Sequence, residues 1–304
     1  MKACEHEGNG KYVLKPRKSP AIRLLWKGPK KTVCPNFNLF AHAGGCGLSP
    51  NCSYCFLKSS LSFLSKPVVY NNVAEMEGQV LHWIRRDDLV SYVLNTGNLS
   101  DSLAFEQARP FIGRIIELFR EHAERPGRPH TLLIVTKGGM KHIRPLLERE
   151  PCPNVIVSFS VNCSEAAHDH EKGAPTPANR LNAAKTLMDQ GWRVRIRIDP
   201  MIRGYEYSDL VEQVAELAPE RVTLGLIRVE RNLEGRIPEE LMDGLVLAKG
   251  EDMRRYPAGE RVAIFRPAVE RLRNVCSVGL CEETPEVWDA LRLDRENKTC
   301  NCNL

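Results

Sequence analysis

FNLFAHAGGCGLSPNCSYCFL, residues 37–57, is the stretch from which the rest of the chain is read. FNLFAHA is apolar and strand-like, and it runs into a Gly/Ser/Pro/Asn-rich loop that carries Cys46, Cys52 and Cys55. Beyond this loop, short β-rich runs alternate with amphipathic helical stretches. The expected strands are 90–96 (VSYVLNT), 131–137 (TLLIVTK), 155–161 (VIVSFSV), 193–199 (RVRIRID) and 221–227 (RVTLGLI). Between them lie the helical patterns FIGRIIELFREHAER, ANRLNAAKTLMDQG and LVEQVAELA, the second closed by Gly191 as a C-cap. Alternating βα units form parallel sheets, and six of them fit an α/β fold, a partial (β/α)6 TIM-type barrel.

Catalytic residues of such architectures collect at the carboxyl ends of the strands. Polar side chains stand at those places here: Asn95 to Asp101, Thr136 and Lys137, Ser160 and Asn162, Arg197 and Asp199, and Arg228. The expected organisation is an extended N-terminal arm over 1–33, the barrel over 34–240, and a C-terminal hairpin with a cysteine-rich tail over 241–304. The first residues contain no apolar signal core, and no stretch approaches 18 uninterrupted apolar residues, so a cytoplasmic location is expected. The chain holds 43 Lys and Arg against 38 Asp and Glu, a formal charge of +5. Basic runs at Lys27 to Lys31, Arg193 to Arg197 and Arg254 with Arg255 tilt the expectation toward phosphate-bearing partners.

Eleven cysteines without a secretion signal point to metal ligation rather than a disulfide framework. Three thiolates on one loop suit three irons of a [4Fe-4S] cluster and leave the fourth iron open. S-adenosylmethionine (SAM) can chelate that iron through its amino and carboxylate groups, and an electron from the cluster then breaks a carbon–sulfur bond to give the 5′-deoxyadenosyl radical. Zinc is the alternative at this loop, with His42 as its fourth ligand.

At these residues the chain resembles the spore photoproduct lyase branch of the radical SAM superfamily, from about Cys34 to the end. That family's loop reads C-x3-C-x2-C followed by Tyr-Leu; here it is C-x5-C-x2-C followed by Phe56-Leu57, with two extra residues within GLSPN. The family's Ala-Cys-Thr-Ser-Asp is similar to Gly97-Asn98-Leu99-Ser100-Asp101, its Val-Thr-Lys to Val135-Thr136-Lys137, and its Phe-Ser-Ile-Asn to Phe159-Ser160-Val161-Asn162. The resemblance implies a SAM pocket built on Ser100, Lys137 and Ser160, to which Asp101, Asn162, Arg197 and Tyr54 are added as neighbours. Lyase members carry a cysteine that returns a hydrogen atom to the product radical. Asn98 stands in its place, Phe56 replaces a relay tyrosine, and Tyr54 and Cys163 are the candidate substitutes.

Further on, the run from Arg254 to Arg261 resembles the lyase hairpin that wedges into DNA, which implies substrate contacts at Arg255, Tyr256 and Arg261. The C-terminal segment carries Cys276, Cys281, Cys300 and Cys302. Lyase-like sequences with a similar tail also have an early Val-Cys-Pro, here Val33-Cys34-Pro35. On that resemblance Cys34, Cys281, Cys300 and Cys302 hold a second [4Fe-4S] cluster, with zinc as the structural alternative and an electron-transfer role open to a cluster. Cys4, Cys152 and Cys163 are otherwise read as ordinary cysteines.

The function expected from these residues is hydrogen abstraction from a DNA or nucleoside-type substrate, foremost a modified thymine whose radical rearranges before quenching. Alternatives are repair of a thymine dimer, a peptide or small-metabolite substrate, and a zinc-stabilised nucleic-acid-binding module. A radical enzyme of this kind also needs a reductase or flavodoxin-type electron donor.

Overall fold

The computed structural model describes residues 6–8, 11–25, 28–48, 52–123 and 128–304. Cys4, Lys27 and most of the two-residue insertion in the cysteine loop lie outside the described residues. The main sheet has eight strands, of which seven run parallel: Phe37–Phe40, Val93–Asn95, Thr131–Thr136, Val155–Val161, Arg193–Met201, Arg221–Leu226 and Ser277–Leu280. The first six follow one another across the sheet in chain order, as the βα alternation requires. Among the described residues the edges do not meet, so the barrel is partial.

Two further segments join this sheet system. The arm is built into the fold, since Ile22–Leu25 pairs antiparallel with Phe37–Phe40 and Tyr12–Lys15 pairs with Val68–Tyr70. The sheet also does not stop near residue 240: Ser277–Leu280 adds a seventh parallel strand beside Arg221–Leu226. The four-residue run SVGL with its internal glycine carries too little alternation to announce a strand.

The helix Ile112–His122 shows why the outer layer forms where it does. Ile112, Ile115, Ile116 and Phe119 fall at helical spacing, and all are fully buried against the sheet. Each such side chain contributes roughly 1.5–3 kcal/mol by leaving water. The helix Pro177–Asp189 starts at Thr176, whose hydroxyl accepts from the Asn179 N–H, with Pro177 in its first turn. After it, Gly191 adopts φ +93°, as its C-cap reading requires. Among the described residues, no helix is long and apolar enough to cross a membrane.

Side chains alternate across each strand, so one face of the sheet packs on the helices and the other lines the barrel lumen. On the lumen face Phe37, Val93, Leu133 and Ile156 form a small apolar patch, with Val135 and Cys302 against it. The carboxyl ends of the strands above this patch carry the polar residues considered next.

Candidate active site

The cysteine loop is fastened to the segments that follow two neighbouring strands, Val93–Asn95 and Thr131–Thr136, and to the end of the helix Ser164–His170. The Gly45 N–H donates to the Leu99 carbonyl (2.8 Å), and Gly45 sits at φ +91°, where a Cβ would come 3.1 Å from the Pro67 backbone. The Ser53 N–H donates to the His170 carbonyl (2.9 Å), and the Ser53 hydroxyl meets His170 Nδ1 at 2.8 Å. From the other side of the ring, His170 Nε2 lies 2.9 Å from the Tyr205 hydroxyl. Tyr54 is the third tie: its hydroxyl donates to Glu171 and accepts from Lys137 Nζ (2.8 Å).

Cys46 and Cys55 line one cavity of about 410 Å³, together with Leu57, Lys58, Leu61, Lys66 and Arg236. Cys52 is buried beside them, close enough to influence the Cys55 thiol. Burial pushes the Cys55 thiol up, opposed by the Leu57 N–H. Among the described residues, no three His, Cys, Asp or Glu side chains stand at metal-binding distance of one another. Cys46 and Cys55 thus share a wall, with Cys52 buried next to Cys55, and the three are not drawn to one point. A donor set of three thiols fits a cluster that keeps one iron open.

His42 does not belong to that donor set. It is fully buried, Arg109 donates to its Nδ1 (2.9 Å), and its Nε2 faces the Thr96 carbonyl (3.2 Å). Burial first and the Arg109 charge second hold its pKa down at about 3, so the ring is neutral with both nitrogens engaged. The zinc alternative loses its fourth ligand there.

Around the loop stands an ion network that the sequence reading missed. Glu171, only 3% exposed, pairs with Lys137 and with the fully buried Arg180. Arg180 also donates to the carbonyls of Pro175 (2.8 Å) and Ser160 (3.1 Å). Burial works to raise the Glu171 carboxyl, but the charges of Lys137 and Arg180 outweigh it and hold it at about 2. Burial likewise keeps the Tyr54 phenol protonated, well above its ordinary range. In sequence, Glu171 and Arg180 are two charged residues in polar helical stretches, and only the third dimension pairs them.

The remaining candidates fall into two sets. Ser100 (3.4 Å from His42 Nε2), the half-buried Asn98, Lys137 and Ser160 lie at the ends of adjacent strands. Asp101 and Asn162 are there too, but their side chains are occupied internally. The Asp101 carboxylate accepts from the Leu103 N–H, the Thr136 hydroxyl and the Lys137 N–H (2.7 Å). Asn162 bridges the Pro200 carbonyl and the Cys163 N–H. Both shape the strand ends rather than offering free groups to a ligand.

Other expectations are corrected by packing. Cys163 lies in the core between sheet and helices, beside Tyr207, and is 7% exposed. The Arg197 guanidinium is held by Asp199 and Cys281 (3.3 Å), which assigns it to the second cysteine group. The run from Arg254 to Arg261 is the end of a strand, Met253–Arg255, entering the helix Ala258–Leu272. Arg255 and Tyr256 are each 2% exposed, and Arg255 and Arg261 both pair with Glu283. The hairpin itself lies earlier, with Val246–Leu247 pairing antiparallel with Met253–Arg255, and it exposes Val246 and Leu247. Nor is the run from Arg193 to Arg197 a phosphate-facing surface: Arg193 and Arg195 grip Glu220.

A family model described as spore photoproduct lyase matches residues 36–230, well over half of the chain. The chain belongs to the spore photoproduct lyase family. It is accordingly a radical SAM enzyme of the lyase type, with SAM and one [4Fe-4S] cluster as cofactors. Among solved structures it is similar to spore photoproduct lyase complexed with dinucleoside spore photoproduct, at 18% identity and a TM-score of 0.70, covering 89% of this chain and 82% of that one. A double mutant of spore photoproduct lyase with bound AdoMet and dinucleoside spore photoproduct matches at 19% identity and 0.68, over 88% and 81%. Streptococcus suis SuiB bound to S-adenosylmethionine is 14% identical with a TM-score of 0.51, over 83% of this chain and 51% of that one. At these identities the likeness establishes the fold. No curated protein matches.

Proposed function

We propose that Cys46, Cys52 and Cys55 hold the SAM-binding cluster and that the enzyme abstracts hydrogen from a nucleic-acid substrate, a modified thymine in DNA. The observation that carries this reading is the cavity wall shared by Cys46 and Cys55, with Cys52 beside it and the loop tied to the strand ends that bear Ser100, Lys137 and Ser160. When bound, the cluster and SAM supply a 5′-deoxyadenosyl radical. The chain's own residues orient it. Lys137 offers an ammonium and Ser100 and Ser160 offer hydroxyls to the carboxylate and ribose oxygens of SAM. Tyr54, fixed by Glu171, closes the pocket beside the cluster loop. The electron comes from an external donor of the reductase or flavodoxin type.

Support for a nucleic-acid substrate comes from the dinucleoside in related structures, the exposed apolar pair Val246 and Leu247 on the hairpin, and the cations Lys58, Lys66 and Arg236 around the cavity, beside exposed Phe56 and Phe63. A modified thymine is favoured over dimer repair because Asn98 and Phe56 are poor hydrogen-atom donors where lyases have Cys and Tyr. A second metal centre, iron–sulfur or zinc, at Cys34, Cys281, Cys300 and Cys302 completes the reading. The test is deuterium transfer from labelled thymine-modified oligonucleotides into 5′-deoxyadenosine. Formation of 5′-deoxyadenosine at one rate with every oligonucleotide and with none would remove nucleic acid as the substrate class.

A further inference from the structure

The lumen of the sheet is rich in arginine. Arg195 and Arg197 project from Arg193–Met201, Arg221 opens the next strand, and Arg228 follows its end. Asp199, Glu220 and Glu282 answer part of their charge. The C-terminal tail is threaded onto these guanidinium groups. Arg195 donates to the carbonyls of Asn301 (2.8 Å) and Asn303 (2.6 Å), and Arg221 to those of Cys300 and Asn303 (both 2.8 Å). Thr299 packs on Gly279 so closely that a Cβ at that glycine would lie 1.8 Å from its carbonyl oxygen.

This threading brings four thiols into one neighbourhood around Arg197 and Arg228, short of metal-binding distance of one another. Cys34 lies within electrostatic reach of Cys300 and Cys302. The bridge from Val33 to Glu283 (N–H to carbonyl, 2.7 Å) brings Cys34 alongside the Cys281 segment. Cys281 Sγ accepts from Arg197 (3.3 Å) and Arg228 (3.1 Å), and Cys302 Sγ lies 3.9 Å from Asn95 Nδ2. None of the four is in a disulfide.

A thiol is a weak acceptor, and buried guanidinium groups aimed at one call for a negative charge in that place. Four thiolates around a zinc ion or a [4Fe-4S] core carry a net charge of about −2 in either case. Forming such a site from thiols releases their protons, and a zinc ion or preassembled cluster is the co-reactant.

We propose that Cys34, Cys281, Cys300 and Cys302 hold a metal centre inside the barrel, that Arg197 and Arg228 balance its charge, and that the centre latches the C-terminal tail and the Cys34 segment to the sheet. This rests on the second-centre part of the reading above and adds its place, its counter-charges and its role. Hydrogen bonds from Arg197 and Arg228 to Cys281 mark where that charge belongs.

The experiment uses the full chain, purified and reconstituted anaerobically, with metal content and hydrogen exchange of the 296–304 peptide measured on one sample. The expected wild type holds metal beyond the about four irons of the first cluster, either about four further irons or about one zinc. Cys300→Ser with Cys302→Ser removes that increment, keeps the first four irons, and speeds tail exchange at least about tenfold as local opening becomes easier. Cys34→Ser, which leaves the tail sequence intact, does the same and covers the case in which the tail variant misfolds. The proposal is overturned by no metal beyond four irons, by an increment that survives both variants, or by a disulfide among these cysteines in protein isolated anaerobically. SAM cleavage is read separately, so a sample that keeps the latch metal but makes no 5′-deoxyadenosine sinks the functional reading and leaves this one standing.

Discussion

Glu171→Gln removes one charge from the buried network that braces the cysteine loop. The wild-type carboxylate faces Lys137 and Arg180, and Arg180 is 1% exposed, so the variant leaves a guanidinium without its counter-ion in a dry site. Removing one partner of a buried pair costs roughly 3–5 kcal/mol. The amide still accepts from Tyr54, which sets the expectation near the lower end, about 3 kcal/mol or roughly a hundredfold in the folding equilibrium. That is a large share of a net stability of about 5–15 kcal/mol. Urea unfolding followed by tryptophan fluorescence measures it directly.

Acid provides a second readout. The folded carboxyl lies at about 2 against an ordinary value of 4.5, so its stabilisation is complete above 4.5 and is lost as pH falls toward 2. Wild type should therefore lose stability across that window more steeply than Glu171→Gln. A variant within about 0.5 kcal/mol of wild type, with an unchanged acid limb, would refute the view that this network holds the loop.

Other consequences are read more simply. His42 is held at about 3, below its ordinary 6.5, so its contribution is full above 6.5 and drains away as pH falls toward 3; nitrogen NMR should find the ring neutral at pH values near 5. A cationic His42 there would contradict its burial beside Arg109. Gly279→Ala places a methyl group into the Thr299 backbone and should free the tail, seen as faster proteolysis near residue 299 and a stability loss of about 1–3 kcal/mol. Tyr54→Phe keeps the ring but cuts the ties to Glu171 and Lys137; product formation should fall more than SAM cleavage if the phenol acts in quenching, and both together if it only positions the loop.

The βα order was legible because parallel strands buried on both faces read as apolar runs, as in VIVSFSV, and because the helices between them are amphipathic. The place of the cysteine loop, directly after the strand Phe37–Phe40, was legible from the apolar run FNLFAHA leading into Gly, Ser, Pro and Asn residues. What escaped was set by distant contacts. The strand at 277–280 is short and exists by pairing with Arg221–Leu226. The Glu171–Arg180 pair and the engagement of Arg197 with Cys281 join residues whose partners no local pattern announces. Tyr256 has the composition of a stacking residue, yet its hydroxyl accepts from the Arg203 N–H (3.3 Å) and its ring is buried.

Electron paramagnetic resonance of anaerobically reconstituted, reduced protein with and without SAM decides whether Cys46, Cys52 and Cys55 hold an open-cornered cluster. A [4Fe-4S] signal is expected that shifts when SAM binds and disappears when the three cysteines are replaced by alanine, with Cys34, Cys281, Cys300 and Cys302 replaced by serine in both samples. A wild-type loop on that serine background that loads iron but gives a signal indifferent to SAM would contradict it.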